Sequence, residues 1–393
     1  MTDIESGVDR YDYIVIGAGI HGAGVAQAAS AAGYRVLLLE QYSQPALATS
    51  CRSSKLIHGG LRYLENTQFA LVRECLRERA YLLNNAPQLV TLKHFYIPVY
   101  KTTTRRPWKI MIGLTLYSLF SWRQFHRVRR DLWAKLDGLN TQDLDAVFSY
   151  YDAQTDDARL TRAVLASAES LGASAIFNCT VQKAVADAEG TVVHCQTDQG
   201  SQSFGARIVI NASGPWVAEM HARLCDTTPL AISLVQGAHI VLPGKVTQPY
   251  YLESPSDQRA VFVLPWKDNI LVGTTETAFE GDPAEVSASA AEIEYLLEIY
   301  NHYFRHRYTT GDVIETFAGL RVLPAGEGAA FSRSRDTVFV RDDETRPRVV
   351  SILGGKLTAY RATAEKLVKS LKPFLPATRA IADTARLPLP PVD

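Results

Sequence analysis

Residues Tyr11–Glu40 read YDYIVIGAGIHGAGVAQAASAAGYRVLLLE: a strand, a glycine turn, an Ala-rich helix and a second strand in unbroken order. No other feature constrains the chain as much, because this is how a parallel sheet seats the pyrophosphate of a dinucleotide. Tyr13–Ile16 supplies a buried strand. Gly17 and Gly19 are expected to form the tight turn and admit the phosphate, and Gly22 to let the helix pack on the sheet with its N-terminus facing the anion. The second strand, Tyr34–Leu39, ends at Glu40, placed to accept a hydrogen bond from an adenosine ribose hydroxyl. Glycines alone occur in ordinary αβ turns; here strand, glycines, helix, strand and carboxylate coincide, and a dinucleotide cofactor follows.

With 393 residues, 47% of them hydrophobic, the chain can bury a large core and is expected to form two domains that share it. Lys plus Arg and Asp plus Glu both number 41, so net charge offers nothing to steer a nucleic acid, and none is expected as a partner. Five scattered cysteines without metal-ligand spacing read as reduced thiols of a cytoplasmic enzyme. No secretory signal precedes the first strand, and no apolar run approaches the roughly 20 residues of a spanning helix.

Later segments return to the same chemistry. Ala206–Asn211 (ARIVIN) is an apolar strand followed by a turn at Gly214 and Pro215. Val349–Leu353 is another, broken by Gly354 and Gly355 ahead of a helix expected over Leu357–Val368. Distant segments are therefore expected to complete one cofactor domain, residues 10–80, 150–230 and 345–375. Residues 81–149 and 231–344 would form a substrate-binding domain, and 376–393 a C-terminal tail. Strand candidates assigned to the insertion are Val192–Thr197, Ala238–Leu242, Ala260–Trp266 and Asn269–Glu276, with a helix over Ala288–Phe304. The fold class is α/β with an α+β insertion, an antiparallel sheet backed by helices.

Ala48–Glu65, ATSCRSSKLIHGGLRYLE, combines hydroxyls, paired glycines and ordered basic residues that can wrap a cofactor. Together with IVIGAGIHGAG, DDARL, NASGPWV, FVLPW, GTTE, AGLRVLP and GGKLTAYR, it makes residues 10–370 resemble the FAD-dependent (aerobic, respiratory) glycerol-3-phosphate dehydrogenase family. The resemblance implies a flavoprotein with a Rossmann-like FAD-binding domain of the glutathione-reductase or D-amino-acid-oxidase kind. It also implies oxidation of sn-glycerol 3-phosphate to dihydroxyacetone phosphate, by hydride transfer to flavin N5. Electrons would pass to quinone from a peripheral position on the cytoplasmic face of the inner membrane; a homodimer is compatible with this picture. No metal is required, and the DDARL carboxylates at Asp156 and Asp157 read as helix cap and salt bridge.

A phosphate ester calls for directed cationic donors, which makes Arg62 and Arg321 the leading ligands, with interfacial salt bridges as their competing role. The resemblance draws Tyr63, His239, Arg335 and Lys356 to the same site. His58 or His239 could accept or relay the hydroxyl proton, or merely fix a loop. Lys356 could polarise flavin or substrate, and Arg321 could stabilise charge on oxygen. Ser53 and Ser54 fit either the FAD cradle or loop capping. Gly354, Gly355, Lys356, Leu357 and Thr358 would bring a helix start to the flavin edge, Thr358 doubling as a cap.

Two positions depart from the pattern: His21 stands where Asn is expected, read as a solvent-facing loop residue, and Glu276 where Asp is expected. The chain also stops at ADTARLPLPPVD, where bacterial relatives continue into a helical domain, as a naturally short form or a truncated one. Thr102–Arg130 joins an apolar aromatic interior to basic flanks, as an interfacial helix does, or packs within the substrate domain. An oxygen-using glycerol-3-phosphate oxidase, an FAD-dependent amine or amino-acid oxidoreductase, and a non-enzymatic flavin-binding scaffold are the competing functions.

Overall fold

A computed structural model describes residues 8–65, 67–325 and 337–392. Parallel strands form the spine of the first sheet, in the order Val349–Leu353, Gly200–Asn211, Arg10–Ile16, Val36–Leu39 and Ser174–Ile176. Arg10–Ile16 is central. Its next strand lies to one side and a much later one to the other, and a crevice opens at such a reversal beyond the strands' C-terminal ends. Among the described residues the α-helices are α1 (Ile20–Ala31), α2 (Phe69–Asn85), α3 (Pro107–Ser121), α4 (Asp157–Ser170), α5 (Val217–Leu224), α6 (Ala290–Tyr303) and α7 (Tyr360–Leu371).

The unbroken apolar run of the first strand is explained by burial on both faces. Tyr13 and Val15 join the core formed with α1, α4 and α7, while Ile14 and Ile16 face the opposite core with Val209 and Leu224. Helix α1 is buried on nearly all sides, which its Ala and Gly residues allow by keeping it slim.

The second sheet runs Thr277–Phe279, Ile232–Leu242, Asn269–Gly273, Ala260–Trp266, Tyr250–Glu253, Val90–Tyr100, Leu144–Thr155 and Leu56–Ile57, with Glu315–Pro324 also paired to Ile232–Leu242. It is antiparallel apart from the contact of Tyr250 with Tyr96. Period-two alternation splits its side chains: Tyr250, Val263 and Val272 pack toward α6, and Tyr251, Leu264 and Leu271 toward α2 and α3. The expected antiparallel sheet backed by helices is present.

Some segments sit elsewhere than expected. The strand expected over Val192–Thr197, grouped with the inserted strands though it falls within the 150–230 cofactor segment, spans Thr191–Thr197 and forms hairpins with Gly200–Asn211 and Thr180–Ala186 in the first sheet, because short turns keep consecutive strands together. Leu56–Ile57, within the expected cofactor segment, pairs with Leu144–Thr155 in the second sheet. Val338–Arg341, within the expected substrate segment, pairs with Val349–Leu353 in the first. The helix anticipated from Leu357 begins with a 3-10 turn, Leu357–Ala359, and becomes α-helical at Tyr360. Helix α6 starts at Ala290, where Ser289 and Glu292 form a capping box.

Candidate active site

The C-terminal ends of three adjacent parallel strands open on a cavity of about 280 Å³, walled by Gly19, Gly214 and the run Gly354, Gly355, Lys356, Leu357 and Thr358. A second cavity of about 100 Å³ shares Gly19, Ser50 and Gly214 with the first and reaches Gly17 and Glu40. A third, also about 100 Å³, shares Ser54, His58, Tyr63 and Arg321 and adds Arg62, Arg259 and Glu276. They form a continuous series from the edge of the first sheet to the face of the second.

At the glycine turn, Gly17 has φ +101°, and a Cβ there would come within 2.7 Å of the Ala212 carbonyl oxygen; one on Gly22 would lie 1.8 Å from the Gly17 oxygen. The turn and helix start can approach so closely only as glycine. Glu40 accepts the backbone N–H groups of Ala18 and Tyr42, which fix its carboxylate at the second cavity. Burial raises its pKa, and those N–H donors oppose the rise. The hydroxyl of Ser50 accepts the Ile20 N–H at 2.9 Å, in the first turn of α1.

His21 is not the solvent-facing loop residue expected of it. It lies in the first turn of α1, its Nδ1 is buried without a hydrogen-bond partner, and burial lowers its pKa to about 4. Gly355, at φ +103°, makes room for it: a Cβ there would be 2.1 Å from His21 Nε2.

On the reaction side, His239 is 2% exposed and stacks on Phe317 with ring centroids 4.8 Å apart. Its Nε2 meets the Ser54 hydroxyl at 2.9 Å, while Nδ1 has no partner. Burial first, then the cations of Lys55 and Arg321, lower its pKa to about 3, so the imidazole is neutral. His58 packs edge-on against Phe262. Its backbone N–H is held by the Thr358 hydroxyl at 3.1 Å, so Thr358 ties two segments together and caps no helix. Lys356 Nζ is buried, has no hydrogen-bond partner, and lies 3.7 Å from the centroid of the Tyr63 ring. Arg321 Nη1 stands 3.5 Å from Glu276 Oε1. Arg335 lies outside the described residues.

Buried ionic groups hold these walls in place. Asp157 at the start of α4 accepts the Ser53 N–H at 2.9 Å and pairs with Lys55 Nζ at 2.7 Å, while Asp156 caps the same helix. The Ser53 hydroxyl accepts the Lys55 N–H, so it fastens the loop, and the Ser54 hydroxyl is engaged by His239. Asp152, paired with Arg79 and Tyr117, supports the Gly59 N–H. Glu292 binds the Thr275 hydroxyl at 2.6 Å, and that hydroxyl accepts the Ala238 N–H at 2.8 Å, joining the Thr274 turn to the His239 strand. Among the described residues no group of three or more His, Cys, Asp or Glu could hold a metal ion.

The sequence pattern of FAD-dependent oxidoreductases matches residues 12–361, most of the chain. The chain belongs to the FAD-dependent oxidoreductase family. This oxidoreductase is 37% identical over 387 residues to a glycerol-3-phosphate dehydrogenase of Pseudomonas aeruginosa, covering 97% of itself and 75% of that protein. To a D-erythritol 1-phosphate dehydrogenase of Brucella abortus it is also 37% identical, over 374 residues, with coverage of 93% and 74%. A solved structure of glycerol-3-phosphate dehydrogenase from Bacillus halodurans with FAD superimposes at a TM-score of 0.77 and 27% identity, over 98% of this chain and 68% of that one.

The cavities of this oxidoreductase suit FAD on their own evidence. A buried ammonium without an acceptor, Lys356 Nζ, borders the larger cavity, and the glycine turn with the α1 N-terminus borders the next. A cation left unpaired in a cavity wall suits a ligand that brings acceptors. Glu40, Ser50 and the Gly17–Gly19 turn would hold the nucleotide end, and Gly354–Thr358 the ring end. The sequence reading passed over Ser50, Arg259 and Glu292. Only the S-x-x-E capping pattern at Ser289–Glu292 was a usable signal; Ser50 is one hydroxyl among several in its loop, and Arg259 is recognisable only once the strands pair.

Proposed function

We propose that this oxidoreductase oxidises a secondary alcohol of a small polyol phosphate, sn-glycerol 3-phosphate foremost, to the corresponding ketone. The observation carrying this reading is the third cavity, where Arg62, Arg259 and Arg321 converge beside His239 and Lys356 of the cofactor cavity. The guanidinium groups of Arg62 and Arg321 suit a phosphate dianion, while Arg259 is held by the Glu276 carbonyl and Asp257. The names of the P. aeruginosa and B. abortus relatives point to the same substrate class. FAD, when bound, supplies the hydride acceptor. Arg62 and Arg321 bind the phosphate and orient the carbinol carbon, and His58 or His239 accepts or relays the hydroxyl proton. Ser54 holds the His239 ring in place, and Lys356 offsets negative charge at the ring end.

The proposal extends to electron delivery at a membrane, with quinone as acceptor on the cytoplasmic side. Helix α3 supports it, since Ile110, Leu114 and Tyr117 pack inward while Trp108, Met111, Ile112 and Leu119 stay exposed. Trp122 follows at 93% exposure, with Arg123 and Arg127 beyond it. Among the described residues no helix is long and apolar enough to cross a membrane. The deciding experiment is anaerobic addition of glycerol 3-phosphate to the flavin-loaded protein. Bleaching of the flavin by glycerol 3-phosphate, and by neither glycerol nor amino acids, is the expected result. Folded, flavin-loaded protein that stays yellow overturns the assignment.

A further inference from the structure

Among the groups that wall the third cavity, Glu276 does not fit phosphate binding. A carboxylate repels a phosphate dianion, yet this one stands among arginines that suit such a ligand. Its side chain is 7% exposed, and its Oε1 lies 3.5 Å from Arg321 Nη1. Its backbone is anchored too, because the Glu276 carbonyl oxygen accepts from Arg259 Nη1 at 2.8 Å. The turn leading to it is held from behind by Glu292, through the hydroxyls of Thr275 and Thr277. Much of the surrounding structure thus serves to keep an anion fixed in an anion site.

We propose that Glu276 accepts a hydrogen bond from a non-reacting hydroxyl of the substrate, so that the site selects phosphorylated polyols over phosphorylated alcohols lacking that hydroxyl. The inference rests on the polyol-phosphate reading above and assigns its specificity. A polyol phosphate has two chemically distinct ends, acceptor oxygens on phosphorus and donor hydroxyls on carbon. Guanidinium groups only donate and an ionised carboxylate only accepts. The arginines and Glu276 therefore divide the substrate between them, and the Arg321–Glu276 pair lies where the two kinds of recognition meet. Selectivity of this type is appreciable because an analogue without the hydroxyl forfeits a hydrogen bond to a buried charged group.

The test compares glycerol 3-phosphate with propane-1,2-diol 1-phosphate, which keeps the phosphate and the secondary alcohol and lacks the terminal hydroxyl. Anaerobic flavin bleaching gives kcat/KM-equivalent rates for both, in the wild-type holoenzyme and in the Glu276→Gln and Glu276→Ala variants. The wild type is expected to prefer glycerol 3-phosphate by about 10- to 100-fold, the range for a hydrogen bond to a charged group. In Glu276→Ala the preference collapses toward unity because only glycerol 3-phosphate slows, and Glu276→Gln falls between. Wild-type enzyme that uses both compounds equally overturns the assignment even if no variant folds. Variants in which both rates fall together, preserving the ratio, overturn it in favour of a carboxylate that only positions Arg321. Wild-type enzyme that bleaches with neither compound defeats the polyol-phosphate reading itself, and this inference with it.

Discussion

At the scale of single residues, burial decides chemistry that residue type leaves open. His21 and His239 are both imidazoles in a cofactor site, and burial lowers both pKa values, to about 4 and about 3. His239 remains aligned by Ser54, which suits proton transfer, whereas His21 has only its place against Gly355. Both should cost stability in acid. Each binds a proton in the unfolded chain near its ordinary pKa of 6.5 and resists it when folded, so stability is present above 6.5 and lost as pH falls toward 4. His21→Asn removes one titration from that window. The cofactor-free variant should lose less melting temperature than the wild type between pH 7 and pH 5, as read by scanning fluorimetry; equal losses would show that His21 is not a buried neutral group. The identities of Gly17, Gly22 and Glu40 were legible because their spacing carries a backbone requirement. The partner of Ser54 was not, since no local pattern links it to a strand 185 residues away.

Single elements show how one helix can satisfy two readings at once. The segment around α3 was open between an interfacial helix and one packed in the substrate domain, and its inner and outer faces divide between the two. The inner face is structural: Tyr117 bonds Asp152 at 2.8 Å and so supports the loop carrying His58. The outer face leaves Trp108 56% and Leu119 65% exposed. Replacing both by Ser should weaken co-sedimentation with anionic phospholipid vesicles at least several-fold, since each buried large side chain contributes roughly 1.5–3 kcal/mol. Flavin bleaching by substrate in solution should persist. Unchanged vesicle binding would remove α3 from the membrane proposal. The apolar run and its basic flanks were legible in sequence, but which side chains turn inward depended on contacts with α2 and Leu144–Thr155.

Across the whole molecule, the segments that build one site are held together by charge pairs between distant parts of the chain. Arg361 of α7 makes 2.7 Å contacts with both carboxylate oxygens of Glu78 in α2 and also reaches Thr384 in the C-terminal segment. That segment lies along the ends of α1 and α2, where Ile381 donates to the Ala31 carbonyl and Leu389 to that of Asn85. Arg361→Ala would leave Glu78, 1% exposed, with only the longer 3.8 Å contact to Arg77, a loss of about 3–5 kcal/mol in unfolding free energy. Urea denaturation measures it, and a loss below ~1 kcal/mol would mean that Glu78 finds water or another partner. The sequence by itself determined the cofactor class, the mixed α/β architecture and most walls of the site, because glycine spacing and period-two or unbroken apolar runs are local consequences of backbone geometry. Tertiary structure alone decided which sheet takes Thr191–Thr197, Leu56–Ile57 and Val338–Arg341, and it placed Glu276 among arginines. Strand partners, desolvation and the meeting of opposite charges depend on residues far apart in the chain, and no local pattern encodes them.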